Sequence, residues 1–373
     1  MNAATRPATP ALVLAVCGLG NIGGQVVQLL SGVPGLSRVI LVDDDRYSAS
    51  NVGHQRMAEK DVGRLKVKVQ ARALASMAGH IAVDACGCRI ESVPLGKFRH
   101  CVILSCVDSR AARQSINRIA FRHGVPWIDA ALDRAGSVRA RVFVPQAGEC
   151  LECNWGEQDY ALLEQRSPCK IVSAAAPATA APIELGAIAA GLQIALVRQL
   201  LTADSDAARD AIAHQQWFLD QPSGRGWIGR YSAHPECRFD HARWTITPLA
   251  QGAREITLRD TFGLTGTDAG ETAFSVDGQI IVRRLRCPQC RNIKRVGGRL
   301  LGRLTGQTCK RCGGAMMPAA MDAYGSLTMN EAGGAWLDRP LSSFGLVAGD
   351  VISLHTRDAA VHFELGNKSA ETH

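Results

Sequence analysis

A glycine turn between a short apolar run and a helical stripe constrains this chain more than any other feature. Leu12-Val13-Leu14-Ala15-Val16 is the length of one buried parallel strand. Gly18-x-Gly20-x-x-Gly23 follows it, and Ile22, Val26 and Leu30 then recur at helical spacing. A turn bare of side chains lets a phosphate approach the amides at a helix N-terminus. A second apolar run, Val39-Ile40-Leu41-Val42, ends in Asp43, where a carboxylate accepts hydrogen bonds from ribose hydroxyls. Strand, turn, helix and acid together predict a doubly wound α/β domain that binds an adenine nucleotide.

The residues that follow separate this chain from a dehydrogenase. Asp43-Asp44-Asp45 leads into Ser50-Asn51-Val52-Gly53-His54-Gln55-Arg56 and then Val62-Gly63-Arg64-Leu65-Lys66-Val67. In these motifs the chain resembles the adenylating superfamily of ThiF, MoeB and the ubiquitin-activating enzymes. Its members carry a glycine turn, D-x-D, N-x-x-R-Q and a lysine in a V-G-x-x-K context. The resemblance covers residues 12–200 and implies a Rossmann-like adenylation domain using ATP and Mg²⁺. It implies that Gly18, Gly20, Gly23, Asp43 and Asp45 hold ATP, and that Lys66, Asn51 and Gln55 stabilise phosphate charge. His54 stands where the family places an arginine that contacts the phosphates. Either Arg56 or Arg64 takes that place, or turnover is altered.

Cys101 to Asp108 reads as a buried strand ending at an acid, with Arg113 on the helix beyond. Asp108 is open to two readings, a helix N-cap or the family's Mg²⁺-holding aspartate; the hard cation suits a carboxylate beside phosphate. Further strands are predicted at Pro126–Asp129 and Val138–Val144, and a helix from Ile183 to Leu200. The loop over 156–182 takes the place of the family's crossover loop. Its Pro168-Cys169-Lys170-Ile171 is similar to the motif that holds the catalytic cysteine of ubiquitin-activating enzymes, which implies that Cys169 is the nucleophile; a spare thiol is the alternative. Arg6, in an arm of residues 1–10, is the only candidate for an arginine supplied to a neighbouring subunit.

Thirteen cysteines, six of them in three C-x-x-C pairs, point to zinc rather than disulfides. Cys287, Cys290, Cys309 and Cys312 have the spacing of a closed four-thiolate ribbon over 281–318. Cys150 and Cys153 are expected to share a second Zn²⁺ with Cys237 and His241, or else to pair with Cys287 and Cys290. From Arg283 to Arg311 there are ten Lys and Arg and no acid. No aromatic residue interrupts that run, so single-stranded nucleic acid lacks a stacking platform.

Composition, 46% hydrophobic and 20% charged, reads as globular. No apolar segment is read as membrane-spanning and no signal-peptide layout is present, so a cytoplasmic protein is expected. The layout expected is an adenylation domain over 1–200, a helical or irregular extension over 201–280 with a tryptophan-bearing helix, the ribbon, and a β-rich module over 319–373, loosely like a ubiquitin-like fold. The alanine- and arginine-rich composition looks bacterial. The resemblance implies an activating enzyme, a homodimer, that adenylates a ubiquitin-like protein and hands it to a conjugating enzyme through a Cys169 thioester. Activation of a sulfur-carrier protein is the alternative, and a weak binding scaffold a third.

Overall fold

The computed structural model describes residues 11–133, 136–164, 181–266, 271–304 and 307–367. They form two compact units. One runs to Ile90, resumes at Phe98 and ends at Arg243; the other takes Glu91–Lys97 and continues from Trp244.

The first unit is built on β1 (Leu12–Cys17), β2 (Leu36–Val42), β3 (Ala82–Cys86), β4 (Val102–Ser105), β5 (Trp127–Leu132), β6 (Ser137–Phe143), β7 (Gln215–Asp220) and β8 (Arg225–Arg230). They make one sheet in the order β3-β2-β1-β4-β5-β6-β7-β8. The first five strands are parallel and the last three antiparallel. Helices α1 (Asn21–Leu29), α2 (Lys66–Met77) and α3 (Arg110–His123) make the crossovers, followed by α4 (Glu157–Glu164), α5 (Ile183–Thr202) and α6 (Asp206–Ala213). This is the expected Rossmann-like arrangement.

The four residues Leu14 to Cys17 are fully buried: β1 has a strand on each side, and Leu14 and Val16 share a core with residues of α1 and α5. Each such Leu or Val stabilises the fold by about 1.5–3 kcal/mol. By length and composition α5 would be able to cross a membrane, against the expectation that no segment would. It is instead a core helix: Leu185, Ala189, Leu196 and Val197 are buried, and it packs on α1, β5 and β6. Gln193, on the same buried face, donates to the carbonyls of Ser105 (2.9 Å) and Ile128 (3.0 Å) and accepts from the Cys106 thiol. A buried amide with its partners supplied ties α5 to the carboxyl ends of β4 and the middle of β5.

The extension expected to be helical or irregular, with tryptophans on a helix, is different. Trp217 lies on β7 and Trp227 on β8, a hairpin that widens the main sheet, and only α6 is helical between 203 and 243. Trp217 and Leu219 pack on the core while Phe218 and Trp227 stack with ring centres 5.1 Å apart. With both faces of the hairpin apolar, the sequence lacks the alternation that marks a strand.

The second unit contains β9 (Ile246–Pro248), β10 (Ala273–Val276), β11 (Ile281–Arg286), β12 (Ile293–Leu300), β13 (Met317–Pro318), β14 (Ala323–Tyr324), β15 (Ser326–Thr328), β16 (Val351–His355) and β17 (Ala360–Glu364). Its five-stranded sheet has the order β15-β10-β16-β17-β9, and β11 to β14 form a smaller sheet inserted between β10 and β15. The β-rich sheet therefore begins near residue 246 rather than 319. Phe262, Phe274, Leu327, Leu341, Phe344 and Leu354 fill its core. Arg303 enters this unit as a fork on Asp350, with the Gly345 carbonyl as a third acceptor. Both side chains are nearly buried, a setting in which bidentate geometry matters most.

Candidate functional site

The glycine turn closes the carboxyl end of β1 because neither of two glycines has room for a side chain. Gly18 has φ +86°, and a methyl there would meet the Cys106 carbonyl oxygen at 2.7 Å. A methyl on Gly23 would sit 1.9 Å from the Gly18 carbonyl oxygen. The turn leaves a backbone cradle facing the ends of β1 and β4.

Three expected residues converge on that cradle. Asp43 Oδ2 accepts from the Leu19 amide at 2.6 Å, and its Oδ1 from the Asp45 amide at 2.8 Å. Burial pushes the Asp43 carboxyl above its usual range, against the opposing pull of the Leu19 amide and Lys66. Residues 46 and 47 pair with 63–65, which carries the start of α2 to the end of β2. Lys66, nearly buried, thereby reaches Asp45, with Nζ 2.9 Å from Oδ2. Gln55 approaches the turn directly: its Nε2 is 3.9 Å from where a methyl on Gly20 would be. Its Oε1 is buried without a hydrogen-bond partner among the described residues. A polar atom left so beside a backbone cradle suits a ligand with donors of its own, as an adenine nucleotide has.

The Asn51 side-chain oxygen is committed locally. Oδ1 accepts from the Ser48 amide and hydroxyl, capping a short turn, while the Asn51 carbonyl accepts from the His54 and Gln55 amides. His54, Arg56 and Arg64 are all exposed. Asp108 is exposed just past β4, two residues beyond the Cys106 carbonyl that abuts Gly18. It is not the cap of α3: Ser109 Oγ accepts from the Ala112 amide at 3.0 Å. Asp108 is thus left available as a carboxylate for Mg²⁺. Cys169 and Arg6 lie outside the described residues; part of the expected loop, 157–164, is α4.

Sequence reasoning missed the supports beneath this site. Gln70 Nε2 donates to Tyr47 Oη (2.7 Å) and to the Arg56 carbonyl (2.9 Å), holding the 47–56 segment against α2. Its spacing of four from Lys66, one helical turn, was a usable signal. Asp129 Oδ1 accepts from Ser105 Oγ at 2.7 Å and Arg113 Nε at 2.9 Å, a network between β4, β5 and α3.

The expected metal ligands gather as two separate groups, the arrangement of the first of the two pairings. Cys150, Cys153, Cys237 and His241 have their ligand atoms within 4.8 Å of one another. The sulfurs of Cys150 and Cys237 are 3.6 Å apart, those of Cys150 and Cys153 3.7 Å, and Cys153 Sγ is 3.6 Å from His241 Nε2. Tetrahedral zinc with Zn–S near 2.3 Å requires sulfur edges of about 3.8 Å, so the group fits. Arg122 places Cys237 and His241 by a fork on Asp240 (2.7 and 2.9 Å) and a bond to the Ala242 carbonyl. In the second unit, Cys287, Cys290, Cys309 and Cys312 meet the same 4.8 Å limit, with sulfur pairs 287/312 at 3.4 Å and 290/309 at 3.5 Å. The Cys290 amide, the largest influence, holds the Cys287 thiol below its usual range, which suits a thiolate ligand. Each group closes four ligands around its centre, as structural metal sites do.

Residues 11–239 match the ThiF family. The molybdopterin-synthase adenylyltransferase of Escherichia coli (strain K12) is 31% identical over 143 residues, covering 37% of this chain and 56% of that enzyme. Ubiquitin-like modifier-activating enzyme 5 of Oryza sativa subsp. japonica is 22% identical over 156 residues, 38% of this chain and 37% of that one. A crystal structure of E. coli MccB with ATP aligns over 62% of this chain and 67% of its own, with 18% identity and a TM-score of 0.48. The chain thus spans little more than half of the curated relative that it resembles at 31% identity.

Proposed function

This chain belongs to the ThiF family, and from that premise we propose that it is an ATP-dependent activating enzyme for a ubiquitin-like protein. The carrier's terminal carboxylate attacks the α-phosphorus of ATP, and pyrophosphate leaves. The Cys169 thiolate then attacks the acyl-adenylate, AMP leaves, and the carrier is held as a thioester for a conjugating enzyme. The observation that carries the reading is the convergence of Asp43, Lys66 and the orphaned Gln55 oxygen on the Gly18–Gly23 turn.

In this reading the glycine turn, Asp43 and Asp45 hold the nucleotide, and Lys66, Asn51 and Gln55 stabilise charge on the phosphates. Preorganised stabilisation of this kind supplies most of the rate enhancement in many enzymes. Asp108 would hold Mg²⁺, which supplies electrostatic relief at the phosphates when bound. Zinc is the metal proposed for both cysteine groups, each with a structural role. A homodimer and a cytoplasmic location complete the proposal.

Sulfur-carrier activation is the second reading, favoured by the name of a 29%-identical relative, the sulfur carrier protein ThiS adenylyltransferase of Escherichia coli (strain K12). Carrier-dependent ATP–pyrophosphate exchange, read beside a non-reducing gel, separates the two. Cys169→Ala should leave pyrophosphate exchange intact and abolish a reductant-sensitive adduct. Exchange with no adduct in the wild type would support the sulfur-carrier route, and no exchange with any carrier would remove both.

A further inference from the structure

The whole chain carries a net charge of +8, and the segment from Arg283 to Arg311 alone carries ten cations and no acid. Without that segment the chain would carry a slight excess of acid. The positive charge of this protein is thus concentrated in the small sheet that bears Cys287, Cys290, Cys309 and Cys312.

Some of these cations are committed within the second unit. Arg303 is locked on Asp350, Arg284 is paired with the buried Asp322 at 2.8 Å, and Arg283 lies over the Trp336 ring. Others are not: Arg286, Arg291, Arg295, Lys310 and Arg311 are exposed, and none has an ion pair among the described residues. Four of these five flank the cysteines in sequence, and Arg295 extends the charge along β12. Strand register sets the layout. Arg284 stands directly opposite Arg295, and Arg286 opposite Ile293 on one side and Met317 on the other. Leu285, between the two arginines, turns the other way into a buried cluster with Val282 and Met316. Like charges directly across a strand pair destabilise it, and one carboxylate serves the Arg284–Arg295 pair. A fold that keeps such a conflict keeps it against its own stability.

We infer that this face of β11–β12, with the adjoining cysteine turns, docks an acidic surface of a protein partner. The partner would present carboxylates to Arg286, Arg291, Arg295, Lys310 and Arg311 around an apolar residue set on Ile293. Ile293 decides between partner classes. It is 55% exposed in the middle of the cations, where a protein's apolar contact fits and a phosphate backbone gains nothing. Arginine around a small apolar centre is a composition that protein interfaces favour. Single-stranded nucleic acid would call for the stacking rings that residues 283–311 lack.

The test uses the full chain and three fluorescent probes read by anisotropy at low and high salt. They are a short Asp/Glu-rich peptide with a central leucine, its Asn/Gln counterpart, and a single-stranded oligonucleotide of similar length. The acidic peptide should bind, weaken with salt, and exceed both others. Arg286→Glu/Arg295→Glu should weaken it by at least about tenfold, and Ile293→Asp should weaken it too. Lys310→Glu/Arg311→Glu, on a different loop, gives an independent arm if the first pair fails to fold. Arg225→Glu/Arg230→Glu, on β8, should leave binding unchanged. Tighter binding of the oligonucleotide, no binding of the acidic peptide, or an equal loss in the β8 control would overturn the inference. So would a loss of bound metal in step with the loss of peptide, which would assign these cations to the metal centre instead.

Discussion

Replacing Lys66 with methionine separates a nucleotide contact from a structural one. The side chain is 8% exposed while its partner Asp45 is 67% exposed, so the ion pair is half in water. Pairs in that setting contribute about 0–1 kcal/mol to stability. Methionine keeps most of the apolar stem and removes a charge that had to be desolvated. The melting temperature should therefore move little. Binding should change far more. A hydrogen bond to a charged group is worth about 1.5–3 kcal/mol when one partner is removed, which weakens ATP–Mg²⁺ affinity by roughly 10- to 150-fold. Calorimetric titration with ATP–Mg²⁺, beside a thermal melt, reads both quantities. Asp45→Asn is the counterpart: it leaves the ammonium nearly buried without its counter-charge and should lower the melting temperature more than Lys66→Met does. A folded Lys66→Met protein with wild-type ATP affinity would refute the reasoning. Equal losses of stability and affinity would place Lys66 among structural residues.

Elemental analysis should find two zinc ions per chain; Cys237→Ser should remove only one, and Cys309→Ser only the other. Chelation should unfold the turns around each group, since structural zinc binding is coupled to folding. Gly23→Ala forces the turn open around a methyl 1.9 Å from the Gly18 oxygen; it should cost about 1–3 kcal/mol and abolish thermal protection by ATP. Asp43 carries a pH signature. Burial raises its folded pKa, so the folded state gains relative to the unfolded one as pH falls through that raised value, and loses that gain as pH rises through it. Wild type should therefore gain on Asp43→Asn as the pH of paired thermal melts is lowered toward the acid range, while protection by ATP shrinks over the same window. A difference that stays flat with pH would show that Asp43 titrates alike in both states.

The parallel strands β1, β2, β4 and β5 were legible because their signals are local, whereas the edge strand β3 was not foreseen. Leu12–Val16, the glycines and Val39–Asp43 each lie within one element and its turn, and β1, the Gly18 turn and β2 appear where they were expected. The 287/290/309/312 group was legible for the same reason, its ligands falling on two short turns. The other candidate group joins residues 87 apart, Cys150 and Cys237, so the sequence left its pairing open. What closes it is the Arg122 fork on Asp240, a contact between α3 and a distant loop that no spacing rule contains.

The antiparallel half was harder, and the reason bears on how this fold is read elsewhere. A strand announces itself when one face is wet and the other dry. In β7, Trp217 and Leu219 face the core, while Phe218 on the opposite face is covered by Trp227 of β8. The hairpin thus makes its own apolar second face, and the alternation disappears from the sequence. The hairpin turn is Gln221-Pro222-Ser223-Gly224, whose proline and glycine suit a chain reversal. The same loss of contrast hides Gln193, a polar residue on the buried face of an apolar helix, where periodicity alone offers no reason for an amide. Its partners are the carbonyls of Ser105 and Ile128, to which it donates from α5. Both features arise where a side chain answers to a neighbouring element instead of to water, and periodicity measures only the answer to water.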